Sequence, residues 1–218
     1  MARIAEDLLL LLLDNASAKP VLPRGLSRRL LAAAVLLDLA YDGRIRPALP
    51  SEPAQGCLVA LSGPPPLDPV VRPALTLLQR APLAPATAVG KLSKHVEDDV
   101  LDQLLRTGQI RQVQLTSGRF KANEYAWPMT DRSRVDAIRA EVLSVLFDRQ
   151  LPAPPTAAII ALLHACDRLG TLLNLNDRGR QWVIQRAGEI CSGSWVSNTE
   201  MNQINLAVTI SAVQPALT

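Results

Sequence analysis

Apolar and polar positions alternate along this chain in long helical blocks. Six consecutive leucines, Leu8 to Leu13, follow the acidic pair Glu6-Asp7, and the block predicts a first helix over Ile4 to Leu13. Asn15 through Gly25 reads as a turn region, because Pro20 and Pro23 forbid helix. Ser27 is a suitable cap for a second helix that runs to about Tyr41, with Gly43 as its stop. Val35, Leu36, Leu39 and Ala40 form its densest apolar face, yet apolar residues occur all round it, which predicts a central helix.

Arg44 to Ala48 and Cys57 to Leu61 read as short strands, followed by a breaker at Ser62 to Pro66. A helix is predicted over Pro69 to Leu78, after which Pro82 and Pro85 interrupt the chain. Val96 to Arg106 carries a helical stripe of Val100, Leu101, Leu104 and Leu105, ended by Gly108. Ile110 to Leu115 and Arg119 to Ala126 predict a hairpin around Ser117-Gly118. Asp131 opens an amphipathic helix with Val135, Ile138, Val142 and Val145 on one face. Leu151 to Pro155 is the clearest linker-like break, and Ala157 to Leu169 is a further apolar helix. Asn176 or Asp177 caps a helix carrying Val183, Ala187 and Ile190. Ser197-Asn198-Thr199-Glu200 has capping-box form and predicts a last helix to about Val213. The fold class expected is mainly α: a compact helical bundle with a protruding β-hairpin and a small additional β element. Residues 1–218 are read as a single domain.

The leucine run is too short to span a membrane, which takes about 20 apolar residues, and Asp14 and Asn15 interrupt it. Ala16-Ser17-Ala18 has the form of a signal cleavage site, but a signal peptide needs a positive leading region. Here Arg3 is outweighed by Glu6 and Asp7. A core helix is the better reading, which makes the expected location cytoplasmic.

Composition agrees with a helical core. Hydrophobic residues are 48% of the 218 and aromatics only 3%, so Leu, Ala, Val and Ile fill the interior. Arg outnumbers Lys, and Ala, Leu and Pro are abundant, as in a GC-rich bacterial genome. The net charge of +3 permits contact with phosphates or anionic membranes without demanding it. Cys57, Cys166 and Cys191 are widely spaced and form no C-x-x-C pair, so reduced, buried thiols are expected.

The motifs of common catalysis are incomplete. Val89-Gly90-Lys91 lacks both the first glycine and the terminal hydroxyl of a phosphate loop. His164 and Asp167 stand three apart on one helix and predict a structural contact rather than a dyad. No catalytic residue, metal ligand or cofactor is assigned, and no enzymatic activity is expected.

Ile4-Ala5-Glu6-Asp7-Leu8-Leu9-Leu10-Leu11, then Leu39-Ala40-Tyr41-Asp42-Gly43-Arg44-Ile45, then Leu163-His164-Ala165-Cys166-Asp167-Arg168-Leu169 resemble the Golgi phosphoprotein 3-like family in order and spacing. Leu104-Leu105-Arg106-Thr107-Gly108-Gln109-Ile110 is similar to its helix-to-hairpin junction. The resemblance covers roughly residues 4–190. It implies a helical bundle with a projecting hairpin and a non-enzymatic peripheral adaptor. Eukaryotic members bind phosphatidylinositol 4-phosphate and hold glycosyltransferase tails. Anionic phospholipid or a membrane surface, a protein partner and a second copy of the chain are the partners implied. The inner face of the plasma membrane is the peripheral site that follows.

The family's lipid-site positions are not retained. Its headgroup aromatic falls at Pro23 and one arginine at Ala32; two more fall at Lys94 and Glu97, of which only Lys94 keeps the charge. Arg24, Arg28, Arg29 and Lys94 are therefore the candidates for a displaced headgroup site. Four such cations supply roughly 4 kcal/mol at an anionic surface, close to a millimolar dissociation constant. Val113, Leu115, Arg119, Phe120 and Lys121 of the hairpin, with Arg111, Tyr125 and Trp127 nearby, are candidates for membrane or partner contact. Two rivals stand beside this reading. One is a cytoplasmic protein–protein scaffold without lipid binding. The other is a winged-helix-like nucleic-acid binder built on Val96 to Arg106, where Glu97, Asp98, Asp99 and Asp102 are unsuited to phosphates; no nucleic acid is expected as a partner.

Overall fold

The computed structural model describes residues 3–115, 124–173, 175–197 and 200–217. Its elements run α1 (Arg3–Leu12), α2 (Arg24–Tyr41), β1 (Ile45–Pro47), β2 (Leu58–Ala60), α3 (Arg72–Arg80), α4 (Pro85–Leu92), α5 (Val96–Arg106), β3 (Val113–Leu115), β4 (Glu124–Ala126), α6 (Ser133–Phe147), α7 (Pro154–Ala165), α8 (Leu169–Leu172), α9 (Asp177–Cys191) and α10 (Met201–Val213), with a 3-10 turn over Gln214–Ala216. The fold is mainly α with small β elements. β1 and β2 pair antiparallel, Ile45 opposite Ala60. β3 and β4 pair likewise, Val113 opposite Ala126.

α2 is the central helix. α1, α4, α5, α7 and α10 all pack on it, and every residue from Leu30 to Ala40 is buried. Beside it lies the leucine run, no residue of which is more than 3% exposed. Fully burying a leucine contributes about 1.5–3 kcal/mol, so α1 is held chiefly by this face. No helix is long and apolar enough to cross a membrane among the described residues.

Buried polar groups set how the apolar helices meet. Asp38 is the only charged residue in the buried stretch of α2, and its carboxylate accepts the N–H groups of Ile4 (2.9 Å) and Ala5 (3.1 Å). These are free donors at the start of α1, which lack partners within their own helix. Asp38 thus caps a different helix from its own. Burial pushes its carboxyl well above the usual range, against the pull of the two N–H donors. The acidic pair Glu6-Asp7 meets Arg134 of α6, whose Nη2 lies 2.9 Å from Glu6 and 2.6 Å from Asp7. Asn205 of α10 donates to the carbonyls of Ala40 (2.6 Å) and Ile45 (2.8 Å), closing the far end of α2.

Several boundaries move from the sequence reading. α2 begins one turn early, with Pro23 at its cap position, so Ser27 lies inside the helix, fully buried. Pro85 does not merely break the chain: it opens α4, where its fixed φ and missing N–H suit the first turn. α3 is displaced from Pro69–Leu78 to Arg72–Arg80. The helix read from Ala157 starts at Pro154 and ends at Ala165, with α8 separate. Gly43 (φ +65°) ends α2 as expected; the N–H groups of Gly43 and Arg44 return to the carbonyls of Ala40 and Leu39. Asn176 caps α9, accepting from the Gly179 N–H at 2.9 Å. α10 starts at Met201, and Ser197 donates its N–H to Gln203 rather than completing a box with Glu200; Asn198 and Thr199 lie outside the described residues.

Asp38→Ala should lower stability in urea unfolding by about 1–3 kcal/mol, because two buried N–H groups lose their acceptor. Asp38→Asn should cost less, since an amide oxygen still accepts. Because burial raises the Asp38 carboxyl, its contribution is fully present below the ordinary carboxylate range. It is lost as pH rises through the raised folded value. The gap between wild type and Asp38→Ala should therefore narrow with rising pH, and a gap that widens contradicts this account.

Candidate functional site

Two of the sequence-predicted cations, Arg24 and Arg28, meet where α2 starts beside the first turn of α5. Glu97 is the reason. It lies on the buried stripe of α5 with Val96, Val100, Leu101 and Leu104, and its side chain is 7% exposed. A carboxylate in that position needs compensation. One oxygen accepts the Ser27 hydroxyl at 3.2 Å. The other accepts Nε of Arg28 at 3.1 Å and lies 3.5 Å from Nε of Arg24. Arg28 also stands 4.0 Å from Asp98.

These contacts divide the four candidates. Arg28 is 24% exposed and committed to Glu97; Arg24 is 72% exposed and only its Nε faces the carboxylate. Arg29 turns the other way and donates to the carbonyl of Ala216, pinning the C-terminal turn to α2. Lys94 is exposed in the link between α4 and α5. The structure therefore brings Arg24 and Arg28 together on one counter-ion but does not join Arg29 to them. Ala32 is fully buried among apolar residues. Pro23 is exposed at the cap. Glu97 lies beneath the surface, facing Arg28 and Arg24.

The hairpin base forms the other wall. Trp127 donates its backbone N–H to Ala18 at 2.7 Å, fixing the base to the α1–α2 link. Tyr125 and Trp127 stand 6.2 Å apart, tilted by 41°. With Leu22, Arg24 and Leu101 they line an open groove of about 500 Å³. Lys19 at its edge pairs with Glu124 at 2.6 Å. Val113 is exposed and Leu115 half-buried; Arg119, Phe120 and Lys121 lie outside the described residues. Arg111 is exposed just before β3.

Other sequence candidates resolve simply. Val89-Gly90-Lys91 lies within α4, so it forms no loop around a phosphate. The exposed Asp167 carboxylate pairs with Arg180, and its backbone N–H donates to the His164 carbonyl at 3.0 Å; burial lowers the His164 imidazole, with Asp167 opposing. All three cysteines are free and half-buried, and burial pushes the thiols of Cys166 and Cys191 up. Among the described residues no three His, Cys, Asp or Glu side chains gather as a metal requires. α5, the helix of the nucleic-acid rival, packs its apolar stripe on α2 and α1 and shows acids outward at Asp98 and Asp102.

The arrangement of α1, α2, the hairpin and α7 follows the order of the segments that carried the resemblance. The family description Golgi phosphoprotein 3 (GPP34) matches residues 4–204. The chain belongs to the Golgi phosphoprotein 3 family. No curated protein matches the chain.

The role of Glu97 was missed in the sequence, although a signal existed: an acid on an otherwise apolar stripe must find a partner. Glu97→Ala should cost about 2–3 kcal/mol, since it strands the half-buried Arg28 and the Ser27 hydroxyl. Arg28→Ala added to it should recover part of that loss. A double-mutant cycle in urea unfolding checks this; purely additive costs contradict the pairing.

Proposed function

We propose that this family member is a non-catalytic peripheral binding protein that associates with anionic phospholipid surfaces through a shallow face, without a pocket selective for phosphatidylinositol 4-phosphate. The observation that carries this reading is the face itself. Arg24 and Lys19 line a groove walled by Tyr125 and Trp127 and share it with Glu97, Asp98 and Glu124; exposed Lys94 adds a cation in the α4–α5 link, and aromatic rings beside cations suit the headgroup layer. A monophosphate pocket needs several convergent charge-assisted donors. Here Glu97 occupies Arg28, Ala32 is buried, and Arg29 is spent on the C-terminal turn. Binding then depends on summed charge, weak for one copy, and on the hairpin or self-association for residence. The cytoplasmic face of the plasma membrane is the site proposed.

A second reading, a protein–protein scaffold, is favoured by one feature. Trp182 of α9 is exposed, its indole N–H donates to the Leu146 carbonyl at 3.3 Å and Arg149 lies 5.3 Å from its ring; Phe147 and Leu151 are exposed as well. Aromatic and arginine side chains together are typical of interface cores.

Co-sedimentation with phosphatidylglycerol vesicles at low salt should show weak binding that fades toward physiological salt. Arg24→Glu with Lys94→Glu should weaken it about tenfold or more, and Glu97→Gln should strengthen it about fivefold by releasing a unit of positive charge. Phosphatidylinositol 4-phosphate should add no more than equal anionic charge does. No binding at low salt, or binding indifferent to the double charge reversal, rejects the membrane reading and leaves the scaffold.

A further inference from the structure

Away from the residues of the aromatic groove, α3, α4 and α5 border a second, open cavity that reaches Val35 of α2. Its volume is about 330 Å³. The floor is Val35, Val70 and Val96, each no more than 4% exposed, and Leu77 and Leu92 form the walls. Three basic side chains stand at its rim, one from each surrounding helix or its cap: Arg80 at the end of α3, Lys91 in the last turn of α4 and His95 at the cap of α5. All three are exposed. Arg80 and Lys91 make no side-chain hydrogen bond or ion pair among the described residues. Asp99, half-buried in the wall one turn after His95, is the opposing acid.

We propose that this cavity binds a single-chain anionic amphiphile, an aliphatic carboxylate whose tail lies on the valine floor and whose head meets Arg80 and Lys91. Small-molecule sites are concave, mostly apolar and oriented by a few polar groups, and this cavity has that division. The rim carries two permanent cations against one acid, so an anion is matched and a cation is not. At about 330 Å³ the cavity lies at the lower end of the ~300–1,000 Å³ range of such sites. That size suits one short chain and excludes a two-chain lipid. A free amphiphile is therefore the occupant, not a bilayer headgroup. The site shares no residue with the aromatic groove and does not rest on the membrane reading.

The test is a ¹⁵N–¹H NMR titration of the full chain with decanoate, decanol and decyltrimethylammonium, each below its micellar concentration. Decanoate should shift amides of α3, α4 and the start of α5, and should bind about tenfold tighter than decanol, the factor expected from one charge-assisted contact. Arg80→Glu with Lys91→Glu should erase that preference. Thr76→Trp, at an exposed position on the lining, should block both ligands, and its unshifted spectrum elsewhere shows that the fold is kept. Arg24→Glu, in the aromatic groove, should leave decanoate binding unchanged, which separates this site from that groove. Shifts scattered over the surface, decanol binding as tightly as decanoate, or a preference for the ammonium would overturn the proposal.

Discussion

The structure turns on a carboxylate placed where apolar packing alone has no direction. α2 is buried on all sides, and the leucines of α1 give it a partner surface but no register. Asp38 supplies the register. Its two hydrogen bonds to Ile4 and Ala5 fix where α1 starts, and therefore which leucine meets which neighbour. Arg134 then fixes α6 against the same helix through Glu6 and Asp7. Polar and charged groups buried this way do not outweigh hydrophobic burial in energy; they select one arrangement among several that would bury similar area.

Glu97 plays the corresponding part at the other end of α2, with a functional consequence. By sitting under Arg24 and Arg28 it converts cations into a structural clamp between α2 and α5. One carboxylate thus lowers both the number of donors free to converge on a phosphate and the local positive potential. Arg24 and Lys94 remain exposed and the aromatic hairpin base half-buried, a surface better suited to diffuse attraction than to selective capture.

Much of the fold was legible in the sequence because helical periodicity is local. The central helix, α5, and the Gly43 and Gly108 stops follow from apolar spacing and glycine placement. The burial of the leucine run follows from its length and flanks. Less legible was whatever depends on a distant partner. Pro85 reads as a breaker until α4 is seen packing on α2, and Ser27 reads as a cap until Glu97 is found opposite it, 70 positions away. The candidate site suffered most. Arg24, Arg28, Arg29 and Lys94 are near one another in sequence or by resemblance, yet their partners, not their spacing, decide which ones face outward.

The central claim is that any membrane contact is made by the start of α2, the α4–α5 link and the hairpin base, while the leucine run stays in the core. Hydrogen-exchange mass spectrometry with and without phosphatidylglycerol vesicles tests it directly. Protection on vesicles should appear in peptides covering residues 19–29, 91–97 and 111–127, with α1 equally protected in both states. Loss of protection in α1 on vesicles, or new protection confined to α9 and α10, would contradict the account.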